Sequence, residues 1–301
     1  DRKIDKIETV LICFGGSDQK NVTESTLKVV LEYRSLKKII VVTGAAYNYL
    51  EILRNSNSKI VTMIGVPHNV SRASVEESAV AWAAKPNLKP IPTWPNITLI
   101  LGGDAPDSNN KIKVFPVKEA TILAKHVAQI AKAAKIGVIW TNGPRTGKWQ
   151  LDDATGNYVE QKVHVKGAAL DKVTAAIHEE FDKAGIQHLL YDYVDHTPSA
   201  LLPILASNPR VVIVTADSTS FVSEISSVYA GPLVLIKIGS MNVTHMAHMA
   251  SVLNSGAASG LKIDLQAERV EKVNVYVSDI ERSIPQLSAA ETLVMAISEA
   301  V

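Results

Sequence analysis

The feature that most constrains the fold is an apolar run that passes through a small polar loop into a helix. Residues 211–214 read Val-Val-Ile-Val, and such a β-branched run is typical of a parallel strand covered on both faces. The following residues offer four good helix N-caps, Asp217, Ser218, Thr219 and Ser220. Such a turn presents backbone N–H groups above the sheet, where a nucleotide diphosphate commonly binds. The same pattern also fits an ordinary strand-to-helix junction with a good cap.

Strand and helix patterns alternate along the chain. The expected strands cover residues 8–14, 38–43, 60–64, 97–101, 137–141, 188–193, 211–215 and 232–238, with helical patterns between most of them. This alternation predicts an α/β fold with parallel sheets. The composition agrees, because 47% hydrophobic and 20% charged residues are ordinary for a globular protein.

A proline-rich stretch at residues 86–95 interrupts the pattern, since closely spaced prolines continue neither a helix nor a central strand. The chain of 301 residues is long enough for two domains. We therefore predict one Rossmann-like domain over residues 1–95 and a second over residues 96–301. The expected last helix, residues 284–301, would pack back on the first domain.

The net charge and the cysteine content limit which binding partners and which cellular compartment are expected. The net charge of +1 gives no electrostatic footprint for nucleic acid. The single cysteine cannot form an internal disulfide, which favours a reducing compartment. The first residues are charged, unlike a signal peptide, and no apolar run approaches the roughly 18 residues that span a bilayer. These patterns predict a cytoplasmic protein without a transmembrane segment.

Four loops are expected at the carboxyl ends of strands in the second half, where ligands bind in open parallel sheets. Their cations are Arg145, which suits bidentate phosphate binding, and Lys148, which adds a point charge. Each loop alone is more often a plain turn, but together they favour a phosphate-bearing ligand. The loops cover residues 102–104, 142–148, 215–220 and 239–242.

Several familiar signatures are absent from the sequence. It contains neither a phosphate-binding P-loop nor a G-x-G-x-x-G fingerprint, and its Cys and His spacing does not suit zinc, so no metal site is expected. His245 and His248 lie three apart in a helical pattern, which is more often surface or core than a site. His68 follows a predicted strand and is a candidate general base facing a cleft between the domains. A hydrogen-bonded loop histidine is the simpler interpretation.

Four segments in this order resemble the mitochondrial fission "elongated mitochondria" (ELM) family of plants and many bacteria. They are Gly-Val-Pro-His-Asn-Val-Ser at 65–71, Leu-Ile-Leu-Gly-Gly at 99–103, Thr-Asn-Gly-Pro-Arg-Thr at 141–146, and Thr-Ala-Asp-Ser-Thr-Ser-Phe-Val-Ser-Glu at 215–224. The resemblance covers about residue 58 to the end. The family usually has Arg-Arg-Thr-Pro at 144–147 and a longer N-terminal domain, so this chain departs from it at both places.

The resemblance implies a GT-B-like fold, with two Rossmann-like domains facing a cleft, and a metal-independent glycosyltransferase that uses a UDP- or GDP-linked sugar. No further cofactor is implied. His68 would be the base on the acceptor side, and Glu224 lies where it could reach a ribose hydroxyl. The expected ligand-binding residues are Gly102, Gly103, Arg145, Thr146, Asp217, Ser218, Thr219, Ser220 and Glu224.

Two alternatives remain open. The family is linked in plants to dynamin-related GTPases, so the chain could be a non-catalytic adaptor in organelle division, peripheral to a membrane or organelle surface. The first fifty residues or so, through the segment at 13–23, look more like a UDP-sugar hydrolase of the pseudaminic acid pathway, which is also of GT-B type. That resemblance favours a nucleotide-sugar hydrolase on a similar fold.

Overall fold

The structure is a computed structural model of the chain. It groups residues into two compact units, one of residues 1–69 and 287–301 and the other of residues 70–286. The expected helices at 45–53 and 284–301 lie outside the residues that the structure describes. Those described are residues 9–13, 22–33, 36, 38–44, 59–63, 65–66, 68–107, 109, 111–152, 154–162, 165–195, 199–207 and 209–272.

The described residues form an α/β fold, as the alternating pattern predicts. In chain order the strands are β1 Thr9–Cys13, β2 Lys38–Gly44, β3 Lys59–Met63, β4 Asn96–Ile100, β5 Ala105–Pro106, β6 Ile112–Lys113, β7 Gly137–Thr141, β8 Trp149–Asp152, β9 Asn157–Glu160, β10 His188–Tyr191, β11 Val211–Thr215, β12 Leu233–Lys237, β13 Ser259–Asp264 and β14 Arg269–Lys272. The helices are α1 Val22–Leu31, α2 Arg72–Ala83, α3 Val117–Ala134, α4 Lys172–Ala184, α5 Leu201–Leu205, α6 Thr219–Val228 and α7 Val243–Asn254.

The first unit contains a parallel three-stranded sheet in the order β1-β2-β3. Helix α1 packs on β1, and the small core of this unit includes Ile12 of β1, Leu27 of α1 and Val41 of β2. The apolar runs that predicted these strands are therefore confirmed as strands, although Leu11 of β1 is half exposed.

The second unit is built on a seven-stranded sheet in the order β10-β7-β4-β11-β12-β13-β14. Strand β4 pairs in parallel with β7 on one side and with β11 on the other. The chain winds outward from β4 through β7 and β10, and then in the opposite direction through β11, β12 and β13. This is the strand order of a doubly wound sheet, whose direction reverses between β4 and β11.

Two inner strands of this sheet, β4 and β7, are fully buried, whereas β13 and β14 at one side of it are partly exposed. All residues of β4 and β7 are buried, and Trp140 of β7 meets Phe181 of α4 edge to face at 5.6 Å. Strands β13 and β14 were not predicted from the sequence. They alternate apolar and charged residues because one of them is an exposed, antiparallel edge strand.

The proline-rich stretch is part of the second unit and is hydrogen-bonded to its strand β10. Trp82 of α2 donates its indole N–H to the carbonyl of Lys89 at 2.8 Å, and Lys89 donates to the carbonyl of Leu190 at 2.9 Å. The Tyr191 hydroxyl donates to the carbonyl of Pro90 at 2.5 Å. The division between the compact units accordingly falls between residues 69 and 70, before α2, whereas the sequence placed the boundary at residue 95.

No helix in the described part of the chain is long and apolar enough to cross a membrane. The longest of these helices, α3, has a charged or polar residue at many of its positions and packs on α4.

Replacing Tyr191 with phenylalanine should lower the free energy of unfolding of the second unit by about 1–2 kcal/mol, because the Pro90 carbonyl loses its buried donor. Urea denaturation followed by tryptophan fluorescence measures this, since all four tryptophans (82, 94, 140 and 149) lie in this unit. Tyr158→Phe in the exposed hairpin strand β9 is the control and should change stability by less than about 0.5 kcal/mol. Equal effects of the two changes would contradict the docking role.

Candidate functional site

Four loops meet at one edge of the large sheet. They follow β4, β7, β11 and β12, which are neighbours and run parallel, so their carboxyl ends lie side by side. In a doubly wound sheet this edge, at the point where the winding reverses, is where ligands bind. We call it the carboxyl edge, and it comprises residues 101–104, 142–148, 216–218 and 238–242.

A buried carboxyl group joins the loops after β4 and β11. Asp217 is 0% exposed, and its Oδ2 accepts the backbone N–H of Gly103 at 2.6 Å. The neighbouring N–H of Gly102 donates to Oγ1 of Thr215 at 2.6 Å. Burial raises the pKa of Asp217 from 3.8 to about 6, although the hydrogen bonds from Gly103 and Thr215 and the charge of Arg145 oppose this.

The two glycines make room for protein atoms. A Cβ on Gly102 would lie 2.1 Å from Oδ2 of Asp217, and a Cβ on Gly103 would lie 2.2 Å from the backbone of Arg145. The sequence assigned both glycines to close approach of a ligand. In the structure they first allow the loops after β4, β7 and β11 to approach one another.

Arg145 lies over this junction. Its Nη2 donates to the backbone carbonyl of Asp217 at 3.3 Å and lies 3.7 Å from Oδ2 of the same residue. The side chain is 39% exposed, so the guanidinium also reaches solvent. Lys148, the second cation of the loop, instead pairs with Glu160 of β9 at 3.1 Å. Arg145 is therefore the loop cation that is placed at the carboxyl edge.

Thr146 is a structural tie within its loop. It is buried, its hydroxyl donates to the carbonyl of Gly102, and its Oγ1 accepts the N–H of Gly143 at 2.9 Å. A ligand contact from this hydroxyl would compete with both hydrogen bonds. Its predicted role in ligand binding remains a prediction.

Of the four candidate caps, Ser218 is the residue that caps helix α6. Its Oγ accepts the N–H of Phe221 at 3.4 Å, while Asp217 turns back toward Gly103. Thr219 is half-buried and Ser220 is exposed in the first turn, where backbone N–H groups point out of the helix. The guanidinium of Arg145, bound to the carbonyl just before the cap, thus lies at the positive end of α6.

Glu224 lies in the second turn of the same helix and is half-buried. Burial raises the pKa of its carboxyl above the ordinary value. A half-buried carboxylate on this helix is suited to accept hydrogen bonds from hydroxyl groups. The contact of Glu224 with a ribose hydroxyl remains a prediction.

Two buried histidines, His245 and His248, lie in the first two turns of helix α7, and the sequence predicted no functional role for either. Burial lowers the pKa of His245 to about 4, with smaller effects from the charges of Arg145 and His248. Its Nδ1 accepts the backbone N–H of Asn242 at 3.3 Å, so the ring proton is on Nε2 and can be donated. Their spacing of three residues in a helical pattern was the only signal in the sequence.

The ring of His248 contacts helix α6 through Ser223. Burial lowers its pKa to about 4, and its Nε2 lies 3.3 Å from Oγ of Ser223. Because the Ser223 hydroxyl donates to the carbonyl of Thr219 at 2.6 Å, the His248 ring donates to Ser223 through Nε2. Its Nδ1 is then a buried acceptor without a hydrogen-bond partner among the described residues.

Two more buried polar atoms lack a hydrogen-bond partner in the described part of the chain. They are Oδ1 of Asp217 and Oγ of Ser240, and Ser240 is 0% exposed in the loop after β12. Buried polar groups are nearly always satisfied in native proteins, by protein, water or ligand. Both atoms belong to the carboxyl edge, so this is where polar groups of a ligand or ordered water would be needed.

Asp104 stabilises the outer side of the carboxyl edge. Its two carboxylate oxygens accept the backbone N–H groups of Phe115 and Trp149, each at 2.7 Å. Burial raises its pKa, although these two hydrogen bonds act in the opposite direction. The carboxylate thus fixes the loop before α3 and the start of β8 against the Gly-Gly turn.

His68 belongs to the first unit and is half-buried. The other predicted site residues all belong to the second unit. The general-base role of His68 remains a prediction.

Comparison of the chain with models of known protein families gives no match, and comparison with curated proteins gives none either. The family resemblance therefore remains an expectation from the motifs. The chemistry of the carboxyl edge has to be inferred from its geometry.

Gly103→Ala should lower the free energy of unfolding of the second unit by about 2 kcal/mol or more, because the new Cβ meets backbone atoms that cannot rotate away. Gly143→Ala is the matched control, since its Cβ would have its nearest neighbour at 3.4 Å, and it should cost less than about 1 kcal/mol. Urea denaturation measures both. Similar losses would show that the loops do not pack as described.

The buried carboxyl of Asp217 should make stability pH-dependent. Because its pKa is raised to about 6 in the folded state, its contribution is fully present below about pH 4 and is lost as the pH rises through 6. Between pH 4 and 7 the wild-type second unit should lose roughly 2–3 kcal/mol that Asp217→Asn does not lose. Urea midpoints across this range measure the difference, and parallel curves for the two proteins would contradict it.

Proposed function

We propose that the protein binds a nucleotide-diphosphate sugar at the carboxyl edge and acts as a glycosyltransferase-like enzyme of GT-B type that needs no metal for this step. The observation that carries the proposal is the guanidinium of Arg145 held at the N-terminal end of α6. This pair of positive groups lies where the winding of the sheet reverses between β4 and β11.

A diphosphate suits this arrangement electrostatically. The first-turn N–H groups of α6 and the helix dipole favour an anion, and Arg145 adds a full charge with several N–H donors. In glycosyl transfer the departing diphosphate gains negative charge as the bond to the sugar breaks. Groups that are already in place stabilise that charge in the transition state without reorganisation.

Neighbouring polar groups can recognise the rest of the ligand. His245 is neutral and can donate through Nε2, while Oγ of Ser240 is a buried hydroxyl without a described partner. Glu224 is the candidate for the ribose hydroxyls, as its position on α6 suggested. These assignments follow from the chemistry of each group, and the base and the sugar are not specified by them.

The GT-B proposal extends to both units. The first unit has a parallel sheet of its own, and the doubly wound sheet of the second is of the type that binds nucleotides. In this proposal the first unit binds the acceptor, and His68 removes the proton from the attacking hydroxyl. The C–O bond to the diphosphate then breaks as the new glycosidic bond forms.

Thermal unfolding with a panel of nucleotides tests the binding site. UDP or GDP at 100 times its Kd should raise the Tm of the tryptophan transition by roughly 5–10 °C, because it binds only the folded protein. Arg145→Ala should remove most of the shift. Lys148→Ala is the matched control, since that side chain pairs with Glu160, and it should retain the shift.

The absence of a shift with every nucleotide would contradict the proposal, and so would equal losses in the two variants. If binding is observed, release of UDP or GDP from donor sugars with and without added acceptors distinguishes transfer from hydrolysis. Binding without turnover would favour the adaptor hypothesis.

A further inference from the structure

A cluster of two histidines and an aspartate lies on the second unit, apart from the carboxyl edge. Nδ1 of His178 is 3.0 Å from Oδ2 of Asp182, and Nε2 of His188 is 2.9 Å from Oδ1 of the same carboxylate. One ligand atom from each of the three residues lies within 4.8 Å of the others. We call these three residues the His-Asp-His cluster.

The fold brings the cluster together in a simple way. His178 and Asp182 are four residues apart on α4, so they share one face of the helix. The helix ends at Gly185, which adopts a left-handed conformation with φ of 64°, and the chain returns as β10. His188 is the first residue of β10, so it lies at the amino end of the strand, opposite the carboxyl edge.

The His188 ring is packed in the protein, whereas the side chains of His178 and Asp182 are accessible to solvent. The side chain of His188 is only 10% exposed and lies against Phe181 with ring centres 5.4 Å apart. The side chains of His178 and Asp182 are 40% and 60% exposed. A cation could therefore enter from solvent, meet a fixed imidazole, and draw in the two movable ligands.

We infer that the His-Asp-His cluster binds a divalent transition-metal cation of the Zn²⁺ class. Zn²⁺ prefers imidazole and carboxylate ligands, with bonds of about 2.0–2.2 Å that place tetrahedral ligand atoms about 3.3 Å apart. The two N···O separations, each to a different oxygen of the Asp182 carboxylate, are within about 0.4 Å of that value. The three ligands would leave a fourth position to water, since the site faces solvent. The inference does not depend on the proposed nucleotide site.

The protons of the cluster must rearrange when the cation binds. The indole N–H of Trp140 points to Nδ1 of His188 at 3.4 Å, so Nε2 carries the proton that is donated to Asp182. A cation takes the lone pair of Nε2 only when that proton moves to Nδ1, which breaks the long hydrogen bond from Trp140. Tryptophan emission should therefore change when the site is filled.

The sequence predicted no metal site, because the spacing of these three residues does not form a recognisable metal-binding motif. Asp182 and His188 are separated by the end of a helix and a turn, so no periodicity relates them. Only the return of the chain from α4 into β10 puts both histidines on the same carboxylate.

Titration of the tag-free full chain with Co²⁺ tests the inference. One Co²⁺ per chain should bind, with visible d–d absorption and altered tryptophan emission, and Zn²⁺ should displace it while an equal concentration of Mg²⁺ should not. Co²⁺ at 100 times its Kd should raise the Tm by roughly 5–10 °C.

Asp182→Asn and His178→Ala should each raise the half-saturating Co²⁺ concentration more than about tenfold, since loss of even an outer-shell group commonly has that effect. Glu179→Gln is the matched control, because it makes a similar change on an equally exposed residue of the same helix that pairs with Lys183. It should bind as the wild type does.

The Tm of each variant in EDTA shows whether it is folded. Because the His178 side chain is partly exposed, His178→Ala is the variant expected to disturb folding least. A cluster that serves only to fasten α4 to β10 would lower the Tm of Asp182→Asn equally in EDTA and in Co²⁺. That result, the absence of d–d absorption in the wild type, or equal Co²⁺ affinities in Asp182→Asn and Glu179→Gln would overturn the inference.

Discussion

The arrangement of the carboxyl edge depends on one buried carboxyl group. Asp217 reaches from the end of β11 to the backbone N–H of Gly103 after β4, across the place where the sheet reverses its winding. A charged group at this depth is costly unless hydrogen bonds and a cation compensate it. Gly103 and Arg145 supply that compensation, and in doing so they bring three loops together.

The same contact positions the charged groups on which the proposed diphosphate binding rests. The carboxyl of Asp217 is directed toward Gly103, Ser218 caps α6, and the backbone carbonyl of Asp217 accepts a hydrogen bond from Arg145. The guanidinium is thereby held beside the positive end of a helix. It shares its charge between the buried carboxyl and any bound anion, so protonation of Asp217 near pH 6 would strengthen the field that the anion experiences.

The carboxyl edge of the large sheet differs in chemistry from the opposite edge, where the strands begin. Gly102, Gly103 and Gly143 lie at the carboxyl ends of β4 and β7, and the N-terminus of α6 follows β11. The amino end of β10 instead meets the end of α4, where carboxylate and imidazole side chains of the helix lie close to the strand. An anion therefore suits the first edge and a cation suits the second.

The sequence by itself determined most of the described helices and the central strands of the large sheet, but not the strands β13 and β14. Runs such as Val211–Thr215 read as buried strands because both faces must be apolar, and the polar loop after it predicted a capped helix. Tertiary structure decided which candidate caps α6, what fills the space beside Gly102 and Gly103, and which loop cation faces the edge. It also placed His188 against Asp182, and buried His245 and His248. These outcomes depend on contacts between residues far apart in the chain, and a local pattern carries no information about such contacts.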